Sequence, residues 1–398
     1  VTETARPPPS PLAAEFSLDP QVLYLNHGAF GACPRPVQRT QQALRERLEH
    51  NPIHFFMREL ENLLDATRAA LGPFVGADAE DLVFVPNATA GVNTVLAGFE
   101  FRAGAEVLLT NHGYPACRNA ASHWAGRRGA TLRIAEIPFP LRDAEQITEA
   151  VLASVNERTQ LALLDHVTSP TGLVFPIEEL VEKLAERGIP TLVDGAHAPG
   201  MLPLDLNQLG AAYYTGNLHK WCCAPKGAAF LWVRRDLKPT VHPLVISHGH
   251  SSPRTDRAKF QLEFDWAGSQ DPSAVLSVPS ALYFLEGLLP GGIRALQTRN
   301  HELALTARRL LCEALGTAPV CPDSVLGSLA VVLFPEPTPR TPSPEPLYQA
   351  LVARGIEVPI VPWPGRPSGF VRIAAQAYNT LPQFGVLAEA LRAELGLA

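Results

Sequence analysis

An α/β fold is predicted: a mainly parallel sheet with helices on both faces, followed by a smaller carboxy-terminal α+β domain. Three observations predict it. Between Asp81 and Val233, short apolar runs alternate with amphipathic segments, as in chains of βαβ units. Several of those runs stop abruptly in polar residues, as buried parallel strands do where they deliver side chains to the carboxyl edge of a sheet. After Asp271-Pro272 the pattern changes to longer helices and isolated strands. At 398 residues the chain can bury two cores. The expected organisation is an amino-terminal arm (1–35), a large α/β domain (36–270) and a small domain (271–398).

Taken in order, residues 1 to about 20 read as a flexible arm. Tyr24-Leu-Asn-His-Gly-Ala-Phe-Gly31 is a short extended piece entering a Gly-bounded turn. Helical spacing covers Val37–Leu48, and Asn51-Pro52 interrupts it before a second amphipathic helix, Ile53–Leu71, that stops at Gly72-Pro73. Strands are expected at Asp81–Val85, Glu106–Leu109, Thr131–Ile137, Leu161–Val167, Pro190–Val193, Ala211–Tyr214 and Ala228–Val233. Helices at Ala90–Phe99, Ala116–Trp124, Ala144–Val155 and Ile177–Arg187 connect them. In the small domain, helices are expected at Ser277–Leu288, Ile293–Leu315, Pro346–Arg354 and Pro382–Leu395. Its strands are Ser328–Phe334, Ile356–Ile360 and Gly369–Ile373. The one proline-dense tract, PEPTPRTPSPEP at 335–346, reads as a loop.

Composition narrows the partners. Against 39 acidic residues stand 33 basic ones, a net charge of −6, so neither nucleic acid nor an anionic membrane surface is expected. The six cysteines (33, 117, 222, 223, 312, 321) are dispersed, which fits reduced thiols in the cytoplasm. The opening residues lack the pattern of a signal peptide, and no apolar run would span a bilayer. His248-Gly-His250 has no acid or thiol nearby in sequence to complete a ligand set, so no metal is expected.

The chemistry concentrates at strand ends. Thr191-Leu-Val-Asp-Gly-Ala-His197 delivers Asp194 to the sheet edge, and Ala211–Thr215 runs on into Asn217, His219 and Lys220. One acid and one lysine on neighbouring strand ends suit pyridoxal phosphate, the lysine bonding the aldehyde and the acid holding the pyridine nitrogen protonated. Pro86-Asn-Ala-Thr-Ala-Gly91 lies between a strand and a helix. Its amides, at Ala88 and beyond, and the Thr89 hydroxyl suit a phosphate dianion, although Thr89 could equally cap the helix. Thr110-Asn-His-Gly-Tyr114 offers His112 or Tyr114 as a ring to stack on a cofactor. Leu164-Asp-His-Val-Thr-Ser-Pro-Thr-Gly172 offers the hydroxyl of Thr168 or Ser169, for the cofactor's phenolic oxygen or a substrate carboxylate, or for ordinary turn bonds. Ser269, in Gly268-Ser-Gln-Asp-Pro272, is a further phosphate donor, and Arg372 is a fork for a carboxylate.

Asn-Ala-Thr at 87–89, Asp-Gly-Ala-His at 194–197 and His-Lys at 219–220 stand in an order and spacing that resemble the class V aminotransferase family of fold-type-I pyridoxal phosphate enzymes, over nearly all of Leu25–Asn379. Within that family LNHGAFGACPRPV, DHVTSPTG and GSQDP look most like the isopenicillin N epimerase subgroup. The resemblance implies Lys220 as Schiff-base lysine, Asp194 as partner of the pyridine nitrogen, and His197 beside the ring. It implies Thr89, Asn217 and His219 around the phosphate, and Asn26 and Arg372 at the substrate. It also implies a homodimer in which Ser269 reaches the other subunit's phosphate. Val358–Ser368 lacks the cysteine that desulfurases of the sister group carry there, which disfavours persulfide chemistry. The expected reaction is epimerisation at the α-carbon of an amino acid or amino-acid moiety, with Lys220 as the base on one face and Tyr114 or water on the other. β-Elimination on a cysteine conjugate and transamination are the alternatives.

Overall fold

A computed structural model describes residues 7–336 and 343–397, leaving out the side chain of Pro367. Part of the proline-dense tract, 337–342, lies outside the described residues. The strands are β1 (Leu23–Tyr24), β2 (Leu82–Val85), β3 (Glu106–Thr110), β4 (Thr131–Ala135), β5 (Thr159–Asp165), β6 (Thr191–Asp194), β7 (Tyr213–Asn217), β8 (Ala229–Val233), β9 (Leu329–Leu333), β10 (Ile356–Glu357), β11 (Ile360–Trp363) and β12 (Arg366–Ala374).

Seven of them form one sheet in the order β2-β8-β7-β6-β5-β3-β4, in which β8 alone runs against the others. The sheet is buried on both faces, which is why its strands read as continuous apolar runs. Alternate residues divide between the faces. Leu108, Leu164, Val193 and Tyr214 join the core shared with helices Glu145–Ala153 and Ile177–Ala185 and with the carboxy-terminal unit. Val107, Leu163, Leu192 and Tyr213 point the other way, into helices Ala88–Gly98 and Pro115–Gly126 and the aromatic pair Phe260 and Phe264. The carboxy-terminal unit is an antiparallel sheet, β11-β12-β9, backed by the long helix Gly292–Leu315 and the closing helix Leu381–Leu395. Mainly parallel sheet plus small α+β unit is the architecture the alternation of segments predicts.

The differences have local causes. The helix expected to stop at Gly72-Pro73 continues to Val75 and closes at Gly76, whose φ of 62° suits a residue without Cβ. The single strand expected at 356–360 is two, because Pro359 has no N–H to give to a ladder. Its first half, β10, pairs in parallel with β1, and its second half pairs with β12. The expected flexible arm is an ordered turn from residue 7 on: Pro11–Glu15 is a 3₁₀ helix, Phe16 is buried, and Ser10 N donates to Tyr378 O at 3.1 Å. A short helix, Lys259–Asp265, was not anticipated. No single helix among the described residues is long and apolar enough to cross a membrane.

Candidate active site

The carboxyl ends of β2, β3, β5, β6 and β7 open onto one cavity of about 400 Å³, lined among others by Thr89, Tyr114, Asp165, Ser169, Asp194, His197, Asn217, His219 and Lys220. That volume lies in the range that takes a small-molecule ligand.

Lys220 leaves β7 in a tight turn, with Cys223 N donating to Lys220 O at 3.0 Å. Cys223 itself has φ 57°, a left-handed conformation that costs a side-chain-bearing residue of order 1 kcal/mol or more. The turn is fixed from outside by His27, whose Nε2 donates to the Lys220 carbonyl at 3.0 Å while its Nδ1 meets Tyr378 Oη at 2.8 Å. Lys220 Nζ lies 3.0 Å from His197 Nε2, and Trp221 Nε1 lies 3.3 Å from His197 Nδ1. An indole N–H only donates, so Nδ1 accepts and the neutral imidazole carries its proton on Nε2. Lys220 accepts from that N–H once its amine has lost its proton. Burial, opposed by the negative charge of Asp194, draws its pKa down to about 8, so the amine keeps its proton through most of the neutral range and is freed as the pH rises past 8. Burial likewise holds His197 neutral, and it holds His219 at about 4.

Asp194 ends β6 directly beside Asp165 at the end of β5, the two being paired in register. Asp194 Oδ1 accepts from Ala196 N at 3.0 Å, and the Cys117 thiol donates to Oδ2 at 3.1 Å. Two buried carboxylates this close do not both ionise readily. Burial first, and the charge of Asp194 second, raise Asp165 well above the usual carboxylate range, so Asp165 is the protonated member. Asp165 was missed in the sequence, although it ends an apolar run in the same way as Asp194.

At the phosphate-like turn, Asn87 caps the helix Ala88–Gly98 by accepting from Ala90 N at 2.8 Å. Thr89 is therefore not the cap. The Ala88 amide, expected to face a phosphate, is instead spent on Asn217 Oδ1 at 2.8 Å, an interaction that ties this turn to the lysine strand. Thr89 is left between them at the cavity wall. Tyr114 also lines the cavity, whereas His112 does not. His112 is fully buried, bonded to Thr171 Oγ1 at 2.7 Å and packed on Trp363 and Phe139. Thr168 is likewise turned away, its hydroxyl accepting from Leu173 N at 2.8 Å to close the loop, and Ser169 takes the cavity position. Ser269 is exposed and outside this cavity. Asn26 is buried with its Oδ1 lacking a hydrogen-bond partner.

Arg372 comes from β12 of the small sheet. It is 7% exposed, and its guanidinium donates to the carbonyl of Ser169, with Ser169 Oγ at 3.5 Å. No acidic side chain pairs with it among the described residues. Burial lowers its pKa only to about 10, so it keeps its charge at neutral pH.

A sheet edge carrying a buried lysine of lowered pKa, an acid on the adjacent strand and a helix N-terminus at the far side of one cavity defines a pyridoxal phosphate enzyme of fold type I. The donor set fits the group: an amine for the aldehyde, a carboxylate for the ring nitrogen, and a capped helix start for the phosphate. Residues 23–324 match the family model described as Aminotransferase class-V. The chain belongs to that family, and pyridoxal phosphate is its cofactor. It is 36% identical over 392 residues to an isopenicillin N epimerase of Streptomyces clavuligerus, covering 95% of this chain and 96% of that protein. To a probable chloroplastic L-cysteine desulfhydrase of Arabidopsis thaliana it is 30% identical over 410 residues, covering 96% and 85%. Among solved structures, a cysteine desulfurase from Thermococcus onnurineus NA1 superposes with a TM-score of 0.79 at 19% identity, covering 97% of this chain and 98% of that one. That likeness is one of fold.

Proposed function

We propose that the enzyme inverts the α-carbon of an amino acid or of an amino-acid moiety in a larger substrate. The observation that carries the reading is Arg372: a buried guanidinium with no acidic partner among the described residues, bonded to Ser169 on the wall of the cavity that holds Lys220. A substrate carboxylate supplies the missing counter-charge, as a bidentate pair. Bound pyridoxal phosphate supplies the electron sink that makes an amino-acid α-proton removable.

In this reading Lys220 bonds the cofactor's aldehyde, Asp194 holds the ring nitrogen, and Asn217 and His219 stand beside Thr89 at the phosphate end. Tyr114 packs against the ring. With the cofactor bound, Lys220 would be the base for the α-proton on one face, and its lowered pKa suits it to take and return a proton near neutrality. His197 Nε2–H steers that amine. Tyr114 or a water supplies the proton on the opposite face. Asp165, already protonated, keeps a second negative charge away from Asp194.

The isopenicillin N epimerases of Streptomyces clavuligerus and Amycolatopsis lactamdurans, 36% and 34% identical over 95% of the chain, support epimerisation. The desulfhydrase relatives support the second reading, β-elimination from a cysteine conjugate. We further propose a homodimer, supported by Ser269 lying outside its own cavity and by Phe30, at the cavity mouth, being 70% exposed. Six unpaired cysteines accord with a reducing, cytoplasmic setting.

Proton NMR of the cofactor-loaded enzyme in D2O, with a panel including cysteine conjugates and an aminoadipyl peptide, separates the readings. Deuterium at the α-carbon with loss of optical purity and no keto acid is expected. Pyruvate with a released thiol would sink the epimerase reading in favour of the lyase.

A further inference from the structure

Away from the cavity, on the face covered by the helix Lys259–Asp265, three metal-ligating side chains converge. Glu263 is 3% exposed and lies between two half-exposed histidines, His242 Nδ1 at 2.6 Å from its Oε2 and His250 Nδ1 at 3.4 Å from its Oε1. One ligand atom from each of the three lies within 4.8 Å of the others. The sequence offered His248 and His250 with no acid; the fold discards His248 and supplies His242 and Glu263. Gly249 makes this possible. A Cβ there would meet Leu262 O at 2.0 Å, so only glycine lets the turn His248–Ser251 press onto the helix and bring His250 to Glu263.

The carboxylate is incompletely satisfied. Glu263 Oε1 is buried and accepts no hydrogen bond. His250 Nδ1, 3.4 Å away, makes no hydrogen bond to it, and about 3.4 Å is the spacing of two ligand atoms bonded to one tetrahedral centre at roughly 2.0–2.1 Å. Lys259 Nζ, 3.7 Å from the same oxygen, donates its protons to the carbonyls of Gly249 and His250 instead. The neighbouring cations are otherwise engaged: Arg235 with Asp78 and Asp81, and Lys238 with Asp81. The three ligands border an open pocket, so a fourth position faces solvent.

We propose that His242, His250 and Glu263 form a site for a divalent transition metal of the zinc class. Two imidazoles and one carboxylate select Zn²⁺, Co²⁺, Ni²⁺ or Cu²⁺ over Mg²⁺ or Ca²⁺. The metal would pin the loop between the histidines, whose tip is the exposed run Leu244-Val245-Ile246, to the helix Lys259–Asp265. Lys259 weakens the site electrostatically, which sets the expected affinity in the micromolar range.

Tag-free protein stripped with EDTA and then titrated with Zn²⁺, and separately with Co²⁺, tests this. One equivalent bound per chain is expected, with visible Co²⁺ absorption of a low-coordinate site. Glu263→Gln, His242→Gln and His250→Gln should each weaken binding by about tenfold or more, with the bound cofactor's absorbance spectrum unchanged. Because Glu263 is buried, its variant can fail to fold; the two histidine variants alter half-exposed groups and decide the matter. No saturable binding at about 100 µM metal, or binding equally tight in both histidine variants, would overturn the site.

Discussion

The large sheet and the small sheet each bury one cation, Lys220 in the cavity and Arg372 behind its Ser169 wall, and burial leaves the two with different chemistry. Lys220 has two carboxyl groups nearby and still falls to about 8, whereas Arg372 has none and falls only to about 10. Burial costs both residues; what differs is the reserve each starts with and the partner each is given. An ammonium brought down to about 8 loses its proton just above neutrality and becomes a nucleophile, while a guanidinium at about 10 keeps its charge there and becomes an anion receptor. The cavity thus holds one amine able to bond a carbonyl, and the Ser169 side of its wall is backed by one charge able to bind a carboxylate.

The strongest way to break that contrast is Lys220→Ala. It should cut turnover by on the order of 10⁴-fold and abolish covalent attachment of the cofactor, read from its visible absorbance, while leaving the charge of Arg372 in place. Arg372→Lys sharpens it. A substituted amine at this depth should lose its proton above about pH 8 as Lys220 does, so there KM for the amino acid should rise by roughly 10- to 100-fold. The defect should ease as pH is lowered; a KM independent of pH would show that the contrast between the two cations is wrong.

The third test uses linkage in the cofactor-free protein. The folded pKa of Lys220 lies below its unfolded value of 10.5, so its buried position is a full penalty below about pH 8. Between about 8 and 10.5 the unfolded chain binds more protons, and stability rises with pH. The gain should be about 3 kcal/mol in urea unfolding of the native chain relative to Lys220→Met, which lacks the titrating group. The smallest effect belongs to the acids. Asp165→Asn replaces a carboxyl already neutral and should change kcat by no more than about threefold, whereas Asp194→Asn should cost about 10²-fold or more. Equal losses in the two variants would mean that Asp165 is ionised.

The strand-end positions of Asp194, Lys220 and Tyr114 were legible because each follows an apolar run that reads as a buried strand, and Arg372 stood out as the one charge inside the expected strand Gly369–Ile373. What the sequence hid was the spending of polar groups. Nothing local shows that the Ala88 amide is taken by Asn217, 129 residues away, or that the Thr168 hydroxyl closes its own loop while Ser169 faces the cavity. His112 and Tyr114 sit two residues apart with similar chemistry, and only the aromatic cluster of Phe139 and Trp363 decides which is withdrawn. Glu263 lay beyond reach for a related reason. It is on a short helix with no strong pattern of its own, joined to His242 and His250 by the close approach that Gly249 permits.

The amino-terminal segment makes the lysine's placement answer to the small sheet. Leu23 and Leu25 are laced to Gly355 and Glu357, Ala374 N donates to Leu25 O, and two residues later His27 grips the Lys220 carbonyl. A swing of the small sheet about the cavity would have to be taken up within that two-residue span or passed on to the peptide that carries the amine. Arg372 rides on the same sheet, so the receptor for the carboxylate and the anchor of the lysine loop are mechanically in series.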